Sequence, residues 1–296
     1  MDLINDQTSS SPRAYGKLYV VATPIGNLAD VTFRALQILG DVALIAAEDT
    51  RHTHRLLKRY DIRNRMISFH EHNENKRTGQ LMARLFKGDS VALVSNAGTP
   101  TLSDPGYRLV RTAAAANIRI VPIPGASAAL ASLSVSGLPT DAFVFLGFLP
   151  RKEGKRKKIL ASLVNERKTM IFYESPRRLV ALCKCLIEIL GDRQGVLSRE
   201  MTKRHEEFIR GSLSEMLCLL QQRGEIKGEC TLVVQGLMGQ EWMDETHLKE
   251  EILQGLQREG ARLSDLAKHI AARRGLPRKQ VYEAALKIKA SLNESG

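Results

Sequence analysis

Short apolar runs alternate with amphipathic stretches through the first half of the chain. The runs predict strands at residues 18–23, 42–47, 66–69, 91–94 and 118–123, because short runs rich in β-branched residues and bounded by turn residues are typical of buried strands. Helical periodicity predicts helices at residues 32–39, 52–60 and 107–116, one that ends at Phe86, and an Ala/Ser/Leu-rich one after residue 127. This alternation is typical of a mainly parallel sheet with helices on both faces.

Three of these strands end in loops of small residues: T-P-I-G at residues 23–26, N-A-G-T at 96–99 and P-G-A-S at 124–127. In a parallel sheet the carboxyl ends of the strands share one rim, where ligands bind in open α/β sheets. The loop after residue 94 is longer than an ordinary connection, and Gly98 and Gly106 allow a close backbone approach. An ordinary strand-to-helix connection remains the alternative to a ligand-binding loop.

The pattern breaks near residues 137–140, and a second set of elements follows. Strands are predicted at residues 143–149, 170–173, 196–199 and 231–235, with helices at 155–165, 177–190 and 212–222. Beyond Gly239 the periodicity predicts helices at 246–257, 263–273 and 278–290, the last two joined by a turn at 275–277. The predicted organisation is a disordered tail (1–16), an N-terminal α/β domain (17–138), a second α/β domain (139–240) and a helical domain resembling a helix-turn-helix (241–296).

Composition adds a charge signal. The chain has 296 residues, 43% of them hydrophobic, and a net charge of +12 with a pI near 9.7, which suggests a polyanionic partner or simply a basic enzyme. Its four cysteines have no paired C-x-x-C spacing, which favours reduced thiols over a disulfide framework or a zinc site. Neither an export signal nor an apolar run of ~18–20 residues is present, so a cytoplasmic protein without a membrane partner is expected.

Basic residues gather in two regions. One is the block at residues 151–158, and the other is the last helical pair, with Arg273, Arg274, Arg278, Lys279, Lys287 and Lys289. These clusters indicate either nucleic-acid contact or a solvated helical pair that covers the core.

Familiar nucleotide motifs are missing. Residues 22–28 hold a single glycine where a dinucleotide fingerprint needs three, and no phosphate-binding G-x-x-x-x-G-K-[ST] occurs. The loops instead suit a ligand with adenine and amino-acid ends that backbone amides and carbonyls bind in a crevice.

Seven motifs, in order between Lys17 and Gln235, carry a family resemblance. They are T-P-I-G-N-L-A-D-V-T-x-R-A-L, A-A-E-D-T-R-x-T, E-H-N-E, A-G-T-P-x-x-S-D-P-G, P-G-A-S-A, G-F-L-P and F-Y-E-S-P-x-R-L. The chain resembles the small-subunit ribosomal RNA methyltransferase I family, a class III (tetrapyrrole methylase-like) group that uses S-adenosylmethionine. The resemblance implies an α/β fold with two α/β domains of that type, the first being the cofactor domain, plus a small C-terminal helical domain.

The resemblance further implies 2′-O-methylation of a decoding-centre cytidine ribose in 16S ribosomal RNA of the small ribosomal subunit, by a homodimer. The implied cofactor residues are Pro24, Gly26, Asn96, Ala97, Gly98, Thr99, Ser127, Ala128, Tyr173 and Gly228, with neighbouring Glu229. Asn96 departs from the aspartate usual in relatives, and an amide keeps an acceptor but loses the charge that would attract a cationic cofactor. RNA contacts would come from the 151–158 block, Lys203, Arg204 and the basic tail.

Methyl transfer from a sulfonium to a ribose hydroxyl requires alignment of the reacting atoms and an acceptor for the hydroxyl proton. The candidates for these roles are Glu48, Asp49, Glu71, His70 and Glu74, with Arg51 to hold a phosphate. A helix cap and a structural ion pair are the alternative for Asp49 and Arg51, and solvent-facing loop residues for His70 and His72. No metal is expected, and a zinc site built from His52, His54, His70 and His72 is the disfavoured alternative, because methyl transfer needs no metal and no thiolate joins these residues.

Two rival functions remain. One is methylation of a small tetrapyrrole, which has no need of a basic tail or a helical domain. The other is a non-enzymatic RNA-binding ribosome assembly factor, which would retain the cofactor fold without transferring a methyl group.

Overall fold

The computed structural model describes residues 15–223, 225–237, 245–256, 263–274 and 278–293. The described residues form two compact units that divide between Gly236 and Leu237. Most of the predicted disordered tail, residues 1–14, lies outside the described residues. Of its remainder, the amide of Gly16 donates to the carbonyl of Leu85 at 2.8 Å and the ring of Tyr15 packs edge-on against Phe86.

The first unit opens with a five-stranded sheet in which every pairing is parallel. Its strands are β1 (Leu18–Val21), β2 (Leu44–Ala47), β3 (Met66–Ser68), β4 (Val91–Val94) and β5 (Ile120–Ile123). The order is β3-β2-β4-β1-β5, so β1 lies between β4 and β5. All the loops that follow these strands therefore lie at one rim.

Helices cover both faces of this sheet, as the sequence predicts: α1 (Phe33–Asp41), α2 (Thr50–Arg59), α3 (Glu74–Phe86), α4 (Tyr107–Ala115) and α5 (Ala128–Ser134). Alternate side chains of β4 point to opposite faces. Val91 and Leu93 pack with α3 and α4, whereas Ala92 and Val94 pack with α1 and α2.

A second five-stranded sheet follows, built from β6 (Phe143–Phe148), β7 (Thr169–Glu174), β8 (Gln194–Arg199), β9 (Glu207–Ser212) and β10 (Cys230–Val234). The order is β6-β7-β10-β8-β9, with only β6 and β7 parallel. The helices α6 (Glu153–Ala161), α7 (Pro176–Leu190) and α8 (Leu213–Gln222) cover one face. The sequence analysis missed β9, which pairs with β8 and forms an edge of the sheet among the described strands.

The other face of the second sheet packs against the first part of the unit. Ala129 and Leu133 of α5 contact Ile171 and Val233, which β7 and β10 present from the face opposite α6–α8. The hydroxyls of Ser132 and Ser198 lie 2.6 Å apart across this contact. The two sheets are thereby held with a cleft between the rim of the first and the near face of the second.

The second unit is helical. It comprises α9 (Glu245–Leu256), α10 (Leu263–Arg274) and α11 (Arg278–Asn293), packed around a core that includes Leu248, Ile252, Ile270 and Val281. The predicted turn at 275–277 lies outside the described residues, whereas Arg278, Lys279, Lys287 and Lys289 are exposed on α11. Among the described helices, none is both long and apolar enough to cross a membrane.

Candidate active site

The three small-residue loops meet at the rim, as the sequence predicts. Thr23 and Gly98 exchange backbone hydrogen bonds of 2.9 Å in both directions, which joins the loop after β1 to the loop after β4. The hydroxyl of Thr99 donates to the carbonyl of Ala126 at 3.5 Å, which joins the β4 loop to the loop after β5.

A cavity of about 340 Å³, termed the larger cavity, lies between these loops and the second sheet. Eight of the ten predicted cofactor residues line it: Asn96, Ala97, Gly98, Thr99, Ser127, Ala128, Tyr173 and Gly228. Its volume falls within the ~300–1,000 Å³ typical of small-molecule sites. The apolar side chains of Ile25, Leu102 and Phe148 complete a mainly hydrophobic wall.

The β4 loop has an unusual backbone. Gly98 and Gly106 have φ of +77° and +132°, and a Cβ on Gly106 would lie 2.6 Å from Cδ2 of Leu93. Thr101 and Ser103 also adopt positive φ, 74° and 71°, which costs on the order of 1–3 kcal/mol at each non-glycine residue. Strain of this kind persists only where the surroundings hold the loop in place, and it occurs preferentially at ligand sites.

Asn96 is one of the polar residues that line the larger cavity. Its backbone amide donates to Oε2 of Glu48 at 3.0 Å, which fixes the carboxylate at the end of β2. Its side-chain Oδ1 is buried and accepts no hydrogen bond from any described residue. A buried acceptor without a partner is costly, so this atom is suited to a hydroxyl or amino group of a ligand.

Asp104 also lines the larger cavity, and the sequence analysis did not select it. Burial, followed by repulsion from Glu48, raises the pKa of its carboxyl from 3.8 to about 6, although a hydrogen bond with Ser95 opposes the change. A carboxyl with a pKa near neutrality can hold or release a proton at physiological pH.

The second sheet supplies the opposite wall. The hydroxyl of Tyr173 accepts a hydrogen bond of 3.2 Å from the amide of Ala129 at the start of α5, and burial raises the pKa of this phenol. Glu174 is buried beside it, 3.1 Å from the guanidinium of Arg178. These contacts fix the position of Tyr173 relative to the first sheet.

The other two predicted cofactor residues, Pro24 and Gly26, line a neighbouring cavity of about 280 Å³, termed the smaller cavity. It adjoins the larger cavity along Ile25, Asn96, Ala97 and Glu229, which line both. Its polar wall includes His52, Arg55 and Lys203. The sequence analysis names His52 only as a ligand of the alternative zinc site and assigns no role to Arg55.

Of the predicted catalytic residues, only Glu48 lines the larger cavity. Asp49 caps α2 by accepting the amide of Arg51 at 2.8 Å, and their side chains pair at 3.0 Å, which is the structural alternative considered for both. Glu71 is exposed in the loop after β3 and lines neither cavity. Glu74 accepts the amides of Gly106 and Arg108, so it caps α4.

The basic block at residues 151–158 is not uniformly available to a ligand. Arg156 is buried next to Cys185, and Lys157 pairs with Glu153 at 3.2 Å and Glu188 at 2.9 Å. Within the part of the chain that the structure describes, no three or more His, Cys, Asp or Glu side chains are grouped to hold a metal ion.

Several cavity residues escaped sequence analysis: Leu102, Ser103, Asp104, Phe148, Ser175 and Pro176. All fall inside the motifs S-D-P-G, G-F-L-P and F-Y-E-S-P or directly beside them. Their position in or beside these motifs is the sequence signal that could have identified them, because none of these residue types indicates a binding site by itself.

Comparison with known proteins identifies relatives of this chain. Residues 17–217 match the family model "Tetrapyrrole (Corrin/Porphyrin) Methylases". A protein of Synechocystis sp. named ribosomal RNA small subunit methyltransferase I is 45% identical over 278 residues, which cover 93% of this chain and 99% of the relative. The Bacillus subtilis protein of the same name is 42% identical, over 91% of this chain and 94% of its own length.

Solved structures share the fold at low identity. Diphthine synthase superposes with a TM-score of 0.57 at 14% identity, covering 75% of this chain and 90% of that one. Uroporphyrin-III C-methyltransferase from Thermus thermophilus complexed with S-adenyl homocysteine superposes with a TM-score of 0.53 at 18% identity, covering 74% and 97%. These likenesses match the predicted class of fold.

Proposed function

The chain belongs to the tetrapyrrole methylase family and, within it, to the ribosomal RNA small subunit methyltransferase I group, and we propose that it methylates the 2′-oxygen of a cytidine ribose in 16S ribosomal RNA. We propose S-adenosylmethionine as the methyl donor and the decoding centre of the small ribosomal subunit as the target. The observation that carries the proposal is the larger cavity, whose walls come from eight of the ten residues expected to bind the donor.

The residues of the larger cavity fit S-adenosylmethionine. Asn96 Oδ1 is a buried acceptor that has no hydrogen-bond partner in the described part of the chain, and it is suited to a hydroxyl or amino group of the donor. Ile25, Leu102 and Phe148 offer apolar surface for an adenine ring. The carboxylates of Glu48 and Asp104 attract a cation, which offsets the charge that Asn96 lacks relative to aspartate.

S-adenosylmethionine supplies a methyl group on a sulfonium, which leaves as a neutral thioether. The protein must then align the ribose oxygen with that methyl group, exclude water and accept the hydroxyl proton. We assign proton acceptance to the pair formed by Glu48 and Asp104. The amide of Asn96 orients Glu48, and the raised pKa of Asp104, about 6, suits a group that takes up a proton near neutral pH.

We propose that Asp49 and Arg51 act indirectly by fixing the start of α2, because their side chains already form an ion pair with each other and Asp49 accepts the amide of Arg51. Glu71 is exposed and lines neither cavity, so we assign it no part in the methyl transfer itself. We further propose a homodimer, and RNA contacts from the exposed cations of α11. Methylation of a small tetrapyrrole remains the second candidate, supported by the fold of the Thermus thermophilus enzyme.

Transfer of tritium from labelled S-adenosylmethionine tests the proposal. Small ribosomal subunits that lack the modification should accept label, whereas a uroporphyrinogen should not. Glu48→Gln should lower kcat by at least 100-fold, in line with the 10²–10⁴-fold typical of a lost proton acceptor. Label in the tetrapyrrole alone would replace the proposal with the second candidate, and no label in either would favour an assembly factor.

A further inference from the structure

The helix α2 carries an unbalanced positive charge at the rim of the site. Its sequence, T-R-H-T-H-R-L-L-K-R, contains no acidic residue, and it buries Thr53, Leu56 and Leu57 against the sheet. Arg51 is neutralised by Asp49. Among the described residues, no acidic side chain forms an ion pair with Arg55, Lys58 or Arg59.

Part of that charge borders the smaller cavity. His52 and Arg55 lie one turn apart on α2 and both line it, whereas Lys58 does not. Lys203 also lines this cavity, but its ammonium group pairs with Glu200 at 2.8 Å and Glu229 at 3.0 Å, so its charge is already compensated. Arg55 is therefore the cation of this cavity that an incoming anion can pair with most directly.

The position of the smaller cavity matches the covalent structure of RNA. The 2′-oxygen that reacts in the larger cavity is bonded to C2′ of the ribose. The neighbouring carbon, C3′, carries the 3′-oxygen, which is bonded to a phosphate. That phosphodiester must therefore lie immediately beside the larger cavity. The smaller cavity adjoins it along Ile25, Asn96, Ala97 and Glu229.

We propose that the smaller cavity is the subsite for the phosphodiester of the target nucleotide, with Arg55 as its principal ligand and His52 beside it. The assignment rests on the proposed function. Arginine is suited to this role because its planar guanidinium can bind two phosphate oxygens at once. Arg51, the phosphate ligand expected from the sequence, is already engaged by Asp49.

The test compares Arg55→Gln and His52→Gln with Lys58→Gln. The last variant is a matched control, because Lys58 is an exposed cation on the same helix and lines neither cavity. The affinity for S-adenosylhomocysteine, measured by calorimetry, should be unchanged in all three and shows that each variant is folded. Arg55→Gln should raise KM for small ribosomal subunits about 10-fold, within the range of a lost charged hydrogen bond. The slope of log KM against the logarithm of the salt concentration should be smaller by about 0.7 in Arg55→Gln than in the wild type, which is the contribution of one phosphate contact on a single strand.

His52→Gln should raise KM by a smaller factor, and Lys58→Gln should change it less than twofold. If Arg55→Gln behaves like Lys58→Gln while the wild type methylates ribosomal subunits, the subsite assignment is wrong and the proposed function stands. If the wild type instead methylates a carboxylate-bearing tetrapyrrole and Arg55→Gln raises KM for it, the cavity takes a carboxylate and the phosphodiester assignment is overturned together with the proposed function.

Discussion

Asp104→Asn probes the charge balance of the larger cavity. In the folded protein, burial and the nearby Glu48 raise the pKa of this carboxyl from 3.8 to about 6. The folded state therefore binds the proton more tightly than the unfolded chain, so this group makes the protein less stable as the pH rises from about 4 to about 6. Asparagine has a similar shape and does not titrate.

A pKa that rises from 3.8 to about 6 corresponds to at most about 3 kcal/mol at pH 8, because each pKa unit is worth about 1.4 kcal/mol. Asp104 is only half-buried, and solvent screening reduces that figure. We therefore expect Asp104→Asn to increase the free energy of unfolding at pH 8 by about 1–2 kcal/mol, with little difference from the wild type at pH 4.

Urea titrations at the two pH values, followed by circular dichroism, measure this difference. Asp141→Asn provides the control, since Asp141 is exposed and lines neither cavity. In parallel, kcat/KM for methyl transfer by the wild type should rise with pH through about 6, and Asp104→Asn should lose that step and most of its rate. A variant that is less stable than the wild type at pH 8, or that keeps full activity, would refute the reasoning.

Three further predictions test separate parts of the structure. Asn96→Ala removes the buried acceptor and should weaken the binding of S-adenosylhomocysteine by about 1–1.5 kcal/mol, which is roughly a 10-fold increase in the Kd measured by calorimetry. An unchanged Kd would mean that Oδ1 does not face the donor. Gly106→Ala should destabilise the protein by about 2 kcal/mol or more, because the φ of Gly106 is +132° and a Cβ there would meet Leu93. The control is Gly79→Ala in the open middle of α3, which should stabilise the protein by up to about 1 kcal/mol. Thermal unfolding measures both changes, and equal effects would contradict the account. Glu207→Gln should lower the free energy of unfolding by about 1 kcal/mol at pH 7, because Arg223 and then Arg199 hold the pKa of Glu207 at about 2. The difference from the wild type should disappear as the pH falls from 4.5 towards 2. A difference that does not depend on pH would exclude the ion pairs as its cause.

The rim of the first sheet was predictable because two local signals agree. The apolar run Val91–Val94 and its abrupt end mark a strand and its loop, and parallel pairing then brings the ends of neighbouring strands to one edge. The helix cap at Asp49 was likewise foreseen as an alternative, because a side-chain oxygen before a helix satisfies its free amides.

The features that the sequence did not predict, β9 and the role of Asp104, also have physical explanations. β9, Glu207–Ser212, reads E-F-I-R-G-S, with too few apolar residues for a strand signal, and it exists because β8 offers an open edge. The role of Asp104 was hidden because S-D-P-G has the composition of an ordinary turn. Only the folded loop, with Thr101 and Ser103 at positive φ, brings that carboxyl to Glu48.

The measurement that most directly tests the central claim is the identity of the methylated nucleotide. Small ribosomal subunits from cells that lack this protein are incubated with it and with S-adenosylmethionine carrying a deuterated methyl group, and the RNA is digested and analysed by mass spectrometry. The account predicts the label on the 2′-oxygen of one cytidine in the decoding centre, and an initial rate of labelling at least 100-fold lower with Glu48→Gln. Label on a base, or no labelled ribose with the wild-type protein, would contradict it.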